Sequence, residues 1–430
     1  MAISDKLIIS AVSRRGVVDA RELAGMLGVS QSTVTRHVRA AQDRICSLGR
    51  ARATRYALRR LVAGLGTQLP IRLIGEDGVP RSYGTLHLLE NYRHWLERSE
   101  GPSELFAGLP PFVEDMRPQG YMGRNFPALH PELGLPGRVN DWTNDQRLIA
   151  VARRGDDCVG NLVIGDESFT RLLAATPESV ERNLFPEMAR RSHLGQPGSS
   201  AAGEQPKFAV YSSGRHVLVK FATGEPNSVT RRWQDMLLCE REALRVVQDA
   251  GITAADADLF DIDTARFLQL DRFDRIGLKG RRGVLSLYAL AAEHLGYMDN
   301  WTVAARDLHA QGLLDAEDAR RMRWLDTFGQ LIGNTDRHFG NLTFYVSDKG
   351  QLRLAPVYDM LPMIFAPQQS SVVDRAFTPG RPTADNHDVW ADAARHAIEY
   401  WTRLGQIDQL DVELRTRCLQ HGRAVKELTP

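Results

Sequence analysis

Residues 333–341 read Gly-Asn-Thr-Asp-Arg-His-Phe-Gly-Asn, and eighteen residues beyond Asn341 the run Val-Tyr-Asp ends at Asp359. These residue types suit metal-assisted phosphoryl transfer. A carboxylate at Asp336 can orient an attacking hydroxyl or take its proton. The amide oxygen of Asn341 and the carboxylate of Asp359 can hold Mg²⁺ against the phosphates of ATP. The same residues could instead cap helices and tie a turn, so the reading needs support from elsewhere in the chain.

That support lies upstream, in kinase order. Residues 199–207, Ser-Ser-Ala-Ala-Gly-Glu-Gln-Pro-Lys, form a loop of small residues whose backbone N–H groups could approach phosphates. It is neither a G-x-x-x-x-G-K-[ST] loop nor a G-x-G-x-x-G loop, and alone it reads equally as a surface turn. Lys220 ends the apolar run Val-Leu-Val-Lys and precedes a helical stretch carrying Glu240 and Glu242. In such an arrangement a helix glutamate pairs with a lysine that holds phosphate. A strand-end lysine that merely snorkels is the plain alternative. The segment 268–275, Leu-Gln-Leu-Asp-Arg-Phe-Asp-Arg, could supply a hinge whose backbone meets adenine. The spacing Asp336-x-x-x-x-Asn341 matches the protein-kinase catalytic loop, with different flanks.

These pieces need a scaffold of two or three domains, which 430 residues can supply. Apolar residues make up 43% and charged residues 25%, ordinary for a globular chain, and no apolar run is long enough to span a membrane. The four cysteines are scattered without a C-x-x-C pair, which argues against a disulfide framework or zinc site and fits a reducing cytoplasm. The net charge of +1 hides an asymmetry. Residues 1–60 hold 12 Lys and Arg against 4 Asp and Glu, whereas the rest hold 42 against 49. A basic head on an acidic body points to nucleic acid as the head's partner.

Within the head, residues 4–15 have helical apolar spacing. Asp19 and Glu22 make a capping box for a second helix, which Gly28 ends. Ser30 caps a third helix expected over 31–44. Two short helices about a tight turn read as a helix-turn-helix. Gln31, Ser32, Thr33, Thr35 and Arg36 would open its exposed recognition face, with Arg39 one turn on. Residues 45–58 read as a hairpin wing carrying Arg50, Arg52 and Arg55. The duplex partner would be double-stranded DNA, and a protein-interaction module is the competing reading. Beyond residue 65, runs at 71–75, 147–153 and 159–165 look like strands. Residues 101–140 look like an ordered surface excursion, and 207–221 and 259–275 like further strands. From Val284 helices dominate. Three spans follow: a winged helix-turn-helix domain over 1–62, a β-rich lobe over 65–275 and a helical lobe over 276–430.

Taken together, residues 65–430 resemble the HipA family of bacterial serine/threonine kinases, toxins of toxin–antitoxin systems. The matching pieces are 199–207, Val-Leu-Val-Lys-Phe ending at Phe221, Leu-Asp-Arg-Phe-Asp-Arg, the 333–341 loop and the run ending at Asp359. With its basic head the chain is similar to the YjjJ-like subgroup. Thr335–Asn341 also resembles the D-R-H-x-x-N loop of phosphoinositide kinases.

The resemblance implies an α+β, two-lobed protein-kinase-like fold of HipA type after a small winged helix-turn-helix domain, with ATP and Mg²⁺ as cofactors. It implies Asp336 as the catalytic group, Asn341 and Asp359 as metal ligands, and Lys220 with Glu240 on the ATP phosphates. Ala202, Gly203, Glu204 and Gln205 would form the phosphate loop, ending at Lys207. Asp271, Arg272 and Phe273 would flank adenine, and Ser200 or Ser199 would be autophosphorylated. Two departures stand out: Gly340 replaces a usual lysine, and Glu204 puts an acid in the phosphate loop. The expected activity is phosphorylation of serine or threonine on an unidentified protein, by a cytoplasmic, nucleoid-associated protein with no membrane partner. An antitoxin and a homodimer are further expected partners. The alternatives are a transcriptional regulator whose kinase-like body senses nucleotide without transfer, and a small-molecule or lipid kinase.

Overall fold

The computed structural model describes residues 4–50, 53–193, 205–347, 350–368 and 371–429. The chain forms two compact units. The first holds residues 1–75, 79–118 and 131–176, and the second holds 76–78, 119–130 and 177–430. This partition differs from the spans 1–62, 65–275 and 276–430, because the β-rich stretch after residue 65 packs with the head.

The first unit begins with helices α1 (Asp5–Arg15), α2 (Ala20–Leu27) and α3 (Gln31–Ala40) and strands β1 (Val17–Asp19), β2 (Ile45–Leu48) and β3 (Arg55–Leu58). Local chemistry sets the helix ends. The Asp19 carboxylate accepts from Glu22 N at 2.7 Å, Gly28 ends α2 at φ 64°, and Ser30 Oγ accepts from Thr33 N at 3.2 Å. Helix α3 stops at Ala40 rather than Arg44. Arg44 N and Ile45 N both return to the Ala41 carbonyl, at 2.9 and 2.8 Å, turning buried Ile45 into the hairpin. Strand β3 lies between β1 and β2, all antiparallel.

A five-stranded antiparallel sheet follows, in the order β7-β6-β5-β4-β8: β4 (Gln68–Ile74), β5 (Pro80–Leu88), β6 (His94–Arg98), β7 (Glu104–Phe106) and β8 (Leu162–Ile164). With it come α4 (Pro111–Met116), α6 (Asn144–Arg154) and α7 (Asp166–Ala174). Residues 147–153 therefore lie in a helix, not the expected strand. A Thr143/Gln146 capping box starts it, and Leu148, Val151 and Ala152 are buried at helical spacing, which outweighs the strand-like look of the short apolar run. Cys46, Leu48 and Ala57 of the hairpin pack with Leu89 and Trp95 in one buried cluster, so the hairpin's inner face is part of the sheet's core.

The second unit includes α5 (Gly120–Leu129), inside the stretch expected to be a surface excursion, and α8 (Phe185–His193). Its four-stranded antiparallel sheet runs β11-β12-β10-β9: β9 (Lys207–Ser212), β10 (Arg215–Ala222), β11 (Ala257–Ile262) and β12 (Ala265–Asp271). Helix α9 (Ser228–Asp249) packs on it. The hairpin β13 (Arg275–Ile276) and β14 (Gly280–Arg281) leads to a three-stranded sheet, β15 (Val284–Ser286), β16 (Thr343–Val346) and β17 (Leu352–Leu354). Helices α10 (Leu287–Leu290), α11 (Trp301–Ala310), α12 (Ala316–Leu331), α13 (His387–Gln406) and α14 (Val412–Lys426) complete a mostly helical half. One large core joins α9 (Met236, Leu244) to α12 (Leu325, Phe328) and α13 (Tyr400, Trp401). All four cysteines are free, and among the described residues no helix is long and apolar enough to cross a membrane.

Candidate active site

Strand alternation places Lys220. On one face of β10, Val217, Val219 and Phe221 are buried against Phe185, Phe208 and Phe267. Lys220 points to the other face and is 2% exposed. Its cross-strand partner is Lys207, so two ammonium groups share that face.

Helix α9 supplies the counter-charge. Asn227 caps it, accepting from Val229 N and Thr230 N at 2.9 Å each, and its buried stripe brings Glu240 under the sheet. Lys220 Nζ donates to both Glu240 carboxylate oxygens at 2.6 Å and also to Asp359 Oδ1. Asp359 N in turn donates to Glu240 Oε1 at 3.2 Å. The second glutamate, Glu242, faces elsewhere and pairs with Arg241 and Arg245.

One ammonium thus stands between two carboxylates. Burial alone would lower the Lys220 pKa, but Asp359 and Glu240 outweigh it and push it up to about 12. Burial works against ionised Asp359, yet Lys220 and Lys207 hold its carboxyl well below the usual range. Burial, helped by the Asp359 charge, pushes Glu240 up against the pull of Lys220. Asp359 also sits at φ 53°, a left-handed conformation uncommon for a non-glycine residue.

The 333–341 segment is a closed turn. Gly333 has φ 69°, and a Cβ there would lie 2.6 Å from Ile364 Cδ1, so only glycine fits. Asn334, 1% exposed, accepts from Asp336 N at 3.1 Å and donates to the Asp359 carbonyl at 3.4 Å. Arg337 Nε donates to buried Asp326 Oδ1 at 3.0 Å, and Asp326 Oδ2 accepts from Thr302 Oγ1 at 2.8 Å. His338 Nδ1 accepts from Gly340 N at 3.0 Å, a structural role. Asn341 Nδ2 donates to the Asp336 carbonyl at 2.9 Å, which leaves its Oδ1 for other partners. Tyr358 Oη donates to the Gly340 carbonyl at 2.9 Å. The Asp336 side chain is exposed.

The structure therefore brings Lys207, Lys220, Glu240 and Asp359 together, and Asn334 ties the Asp336–Asn341 turn to Asp359. Gln205 donates to the Phe221 carbonyl at the end of β10, while its buried Oε1 has no partner among the described residues. Asp271 turns away. It shares the Val217 and Gln269 face, opposite Lys220, and pairs with Arg215 at 2.8 Å. Arg272 pairs with Asp274 at 3.1 Å. Phe273 lies near the turn, its ring centroid 5.8 Å from that of Tyr358. Ser199, Ser200, Ala202, Gly203 and Glu204 lie outside the described residues, as does Arg52. Sequence reasoning passed over Asn334, Tyr358 and Asp326. Asn334, two residues before Asp336, carried an Asx-turn signal; the partnerships of Tyr358 and Asp326 left none.

The Asn341 amide oxygen and the Asp359 carboxylate are hard oxygen donors of the kind that suits Mg²⁺. In the head, Gln31, Ser32, Thr35, Arg36, Arg39, Arg50 and Arg55 are exposed and Thr33 is half-buried, while Val34 and Val38 hold α3 to the core.

Comparison with known proteins gives two family matches. Residues 65–173 match the YjjJ-like toxin, middle domain, and residues 199–420 match the HipA-like C-terminal domain. The chain is 32% identical over 406 residues to Toxin YjjJ of Escherichia coli K12, covering 90% of each. It is 22% identical over 217 residues to the serine/threonine-protein kinase toxin HipA of Shewanella oneidensis, covering 43% of this chain and 49% of that protein. Its fold is similar to HipA in the Shewanella oneidensis complex of HipA, HipB and operator DNA. There the TM-score is 0.57 at 15% identity, over 84% of this chain and 99% of that one.

Proposed function

Because the chain belongs to the HipA-like family, in its YjjJ-like toxin branch, we propose that its second unit is a serine/threonine protein kinase dependent on ATP and Mg²⁺. The tie between the Asp336–Asn341 turn and Asp359, made by Asn334 beside the Lys220–Glu240 pair, carries this reading. It sets an exposed carboxylate, a free amide oxygen and a paired lysine on one frame. Asp336 would orient the substrate hydroxyl and accept its proton. Asn341 Oδ1 and the Asp359 carboxylate would hold Mg²⁺, and Lys220, kept in place by Glu240, would contact the phosphates with Lys207. Bound Mg²⁺ neutralises charge on the transferring phosphoryl group, and the remaining work is positioning. Phe273 supports an adenine position through its ring. Asp271, paired on the other face, would contribute backbone only.

Autophosphorylation at Ser200 or Ser199 belongs to this reading. A phosphate adds a charge of about −1.5 to −2 beside a loop meant to hold ATP phosphates, and would repel them. We also propose that the head binds duplex DNA as a winged helix-turn-helix, with base contacts from Gln31, Ser32 and Thr35 and phosphate contacts from Arg36, Arg39, Arg50, Arg52 and Arg55. The exposed α3 face supports it. The HipB and operator DNA in the similar structure make an antitoxin and DNA reasonable partners to test here.

The test is incubation of the full chain with ATP and Mg²⁺, read by intact mass and peptide mapping. Phosphate within 192–213 is expected. Tight nucleotide binding with no phosphoryl gain on the chain or on any added protein would favour the sensor reading instead.

A further inference from the structure

The C-terminal half of α9, the start of β11 and the ends of β10 and β12 enclose a cavity of about 250 Å³. None of its lining residues belongs to the Lys220–Glu240–Asp359 cluster. It is smaller than the roughly 300–1,000 Å³ of sites for drug-sized ligands, so one small polar molecule would fill it.

The charges around it do not cancel locally. On one side Arg241 and Arg245 share a single carboxylate oxygen, Glu242 Oε1, at 2.6 and 3.1 Å. Two guanidinium groups against one carboxylate leave one positive charge in excess. Elsewhere the pairs balance. Arg215 meets Asp271 at 2.8 Å, and Arg182 meets Asp258 at 2.7 Å. Asp256, also on the lining, has no ion-pair partner among the described residues and leaves one negative charge in excess.

We propose that this cavity is a binding site for a free amino acid in its zwitterionic form. Its carboxylate meets Arg241 and Arg245, and its ammonium meets Asp256. The excess charges, one of each sign, match a ligand carrying one of each. The site shares only Asp271, on its lining, with the phosphoryl-transfer reading.

The experiment is thermal-shift screening of the full chain against each standard amino acid, followed by calorimetric titration of any that bind. The hit is then compared with its N-acetyl and methyl-ester derivatives, which each lack one charge. Arg245→Ala and Asp256→Asn serve as variants, since both side chains reach solvent and neither supports the core. At least one amino acid should raise the melting temperature, both derivatives should lose binding, and each variant should weaken it by about tenfold, or 1.4 kcal/mol. The proposal is overturned if no amino acid binds, if a blocked derivative binds as well as the parent, or if both variants bind unchanged.

Discussion

Asp359 carries the most constraint of any single residue in the site. It holds a left-handed backbone, accepts from Lys220, and gives its carbonyl to Asn334. Its carboxylate is the charged partner that keeps Lys220 protonated. Asp359→Asn should therefore weaken Mg²⁺-dependent nucleotide binding while leaving Mg²⁺-independent binding less affected, measured by calorimetry with and without the metal. Equal affinities would remove it from the metal site. A second residue tests burial itself. Asp235 on α9 is fully buried; its oxygens lack hydrogen-bond partners among the described residues, and Arg231 Nε stands 3.5 Å away. Burial pushes its pKa up to about 6, against the pull of Arg231 and Arg232. The folded state then favours the neutral carboxyl, and the stability this gives is present below the ordinary range and lost as pH rises through about 6. Asp235→Asn should recover up to about 3 kcal/mol at neutral pH and little near pH 4, because a tenfold change in proton affinity is worth roughly 1.4 kcal/mol. Melting temperatures across that range that move in parallel for both proteins would contradict this.

At the scale of elements, what could be read from the sequence follows how local its signals were. The head helices showed because Asp19, Gly28 and Ser30 punctuate them within a few residues. Lys220 and Glu240 showed because a strand-end lysine and a helix glutamate leave short-range patterns. Residues 147–153 look like a strand only when their short apolar run is read apart from the Thr143/Gln146 cap that starts the helix. The side to which Asp271 turns depends on strand register, which composition does not carry. Nor could sequence show that the hairpin's inner face is buried against Leu89 and Trp95. That contact makes its own prediction. Trp95→Ala, at a residue 5% exposed, should cost about 3–5 kcal/mol and loosen the hairpin as well as the sheet. Hydrogen exchange at residues 45–58 reports it, and unchanged protection there would show that the hairpin does not depend on this packing. For the same reason, DNA binding is best measured on the full chain rather than on residues 1–62.

At the scale of the whole molecule, a basic head and an acidic remainder are joined in one chain. If the head reads DNA, affinity should fall with salt at a slope of roughly −0.9 per phosphate contacted, and Arg55→Ala should flatten it by about one unit. A slope unchanged by Arg55→Ala and Arg36→Ala together would turn the head into a protein-interaction module. The central claim, however, is phosphoryl transfer through the Asp336–Asn341 turn. Its most direct measurement is single-turnover transfer from labelled ATP with Mg²⁺ by the parent chain and by Asp336→Asn, with nucleotide affinity measured on the same samples. The expected result is transfer by the parent, none by the variant, and similar nucleotide affinity for both, because asparagine keeps the shape and removes the charge. Transfer at the parent rate by Asp336→Asn would contradict the assignment.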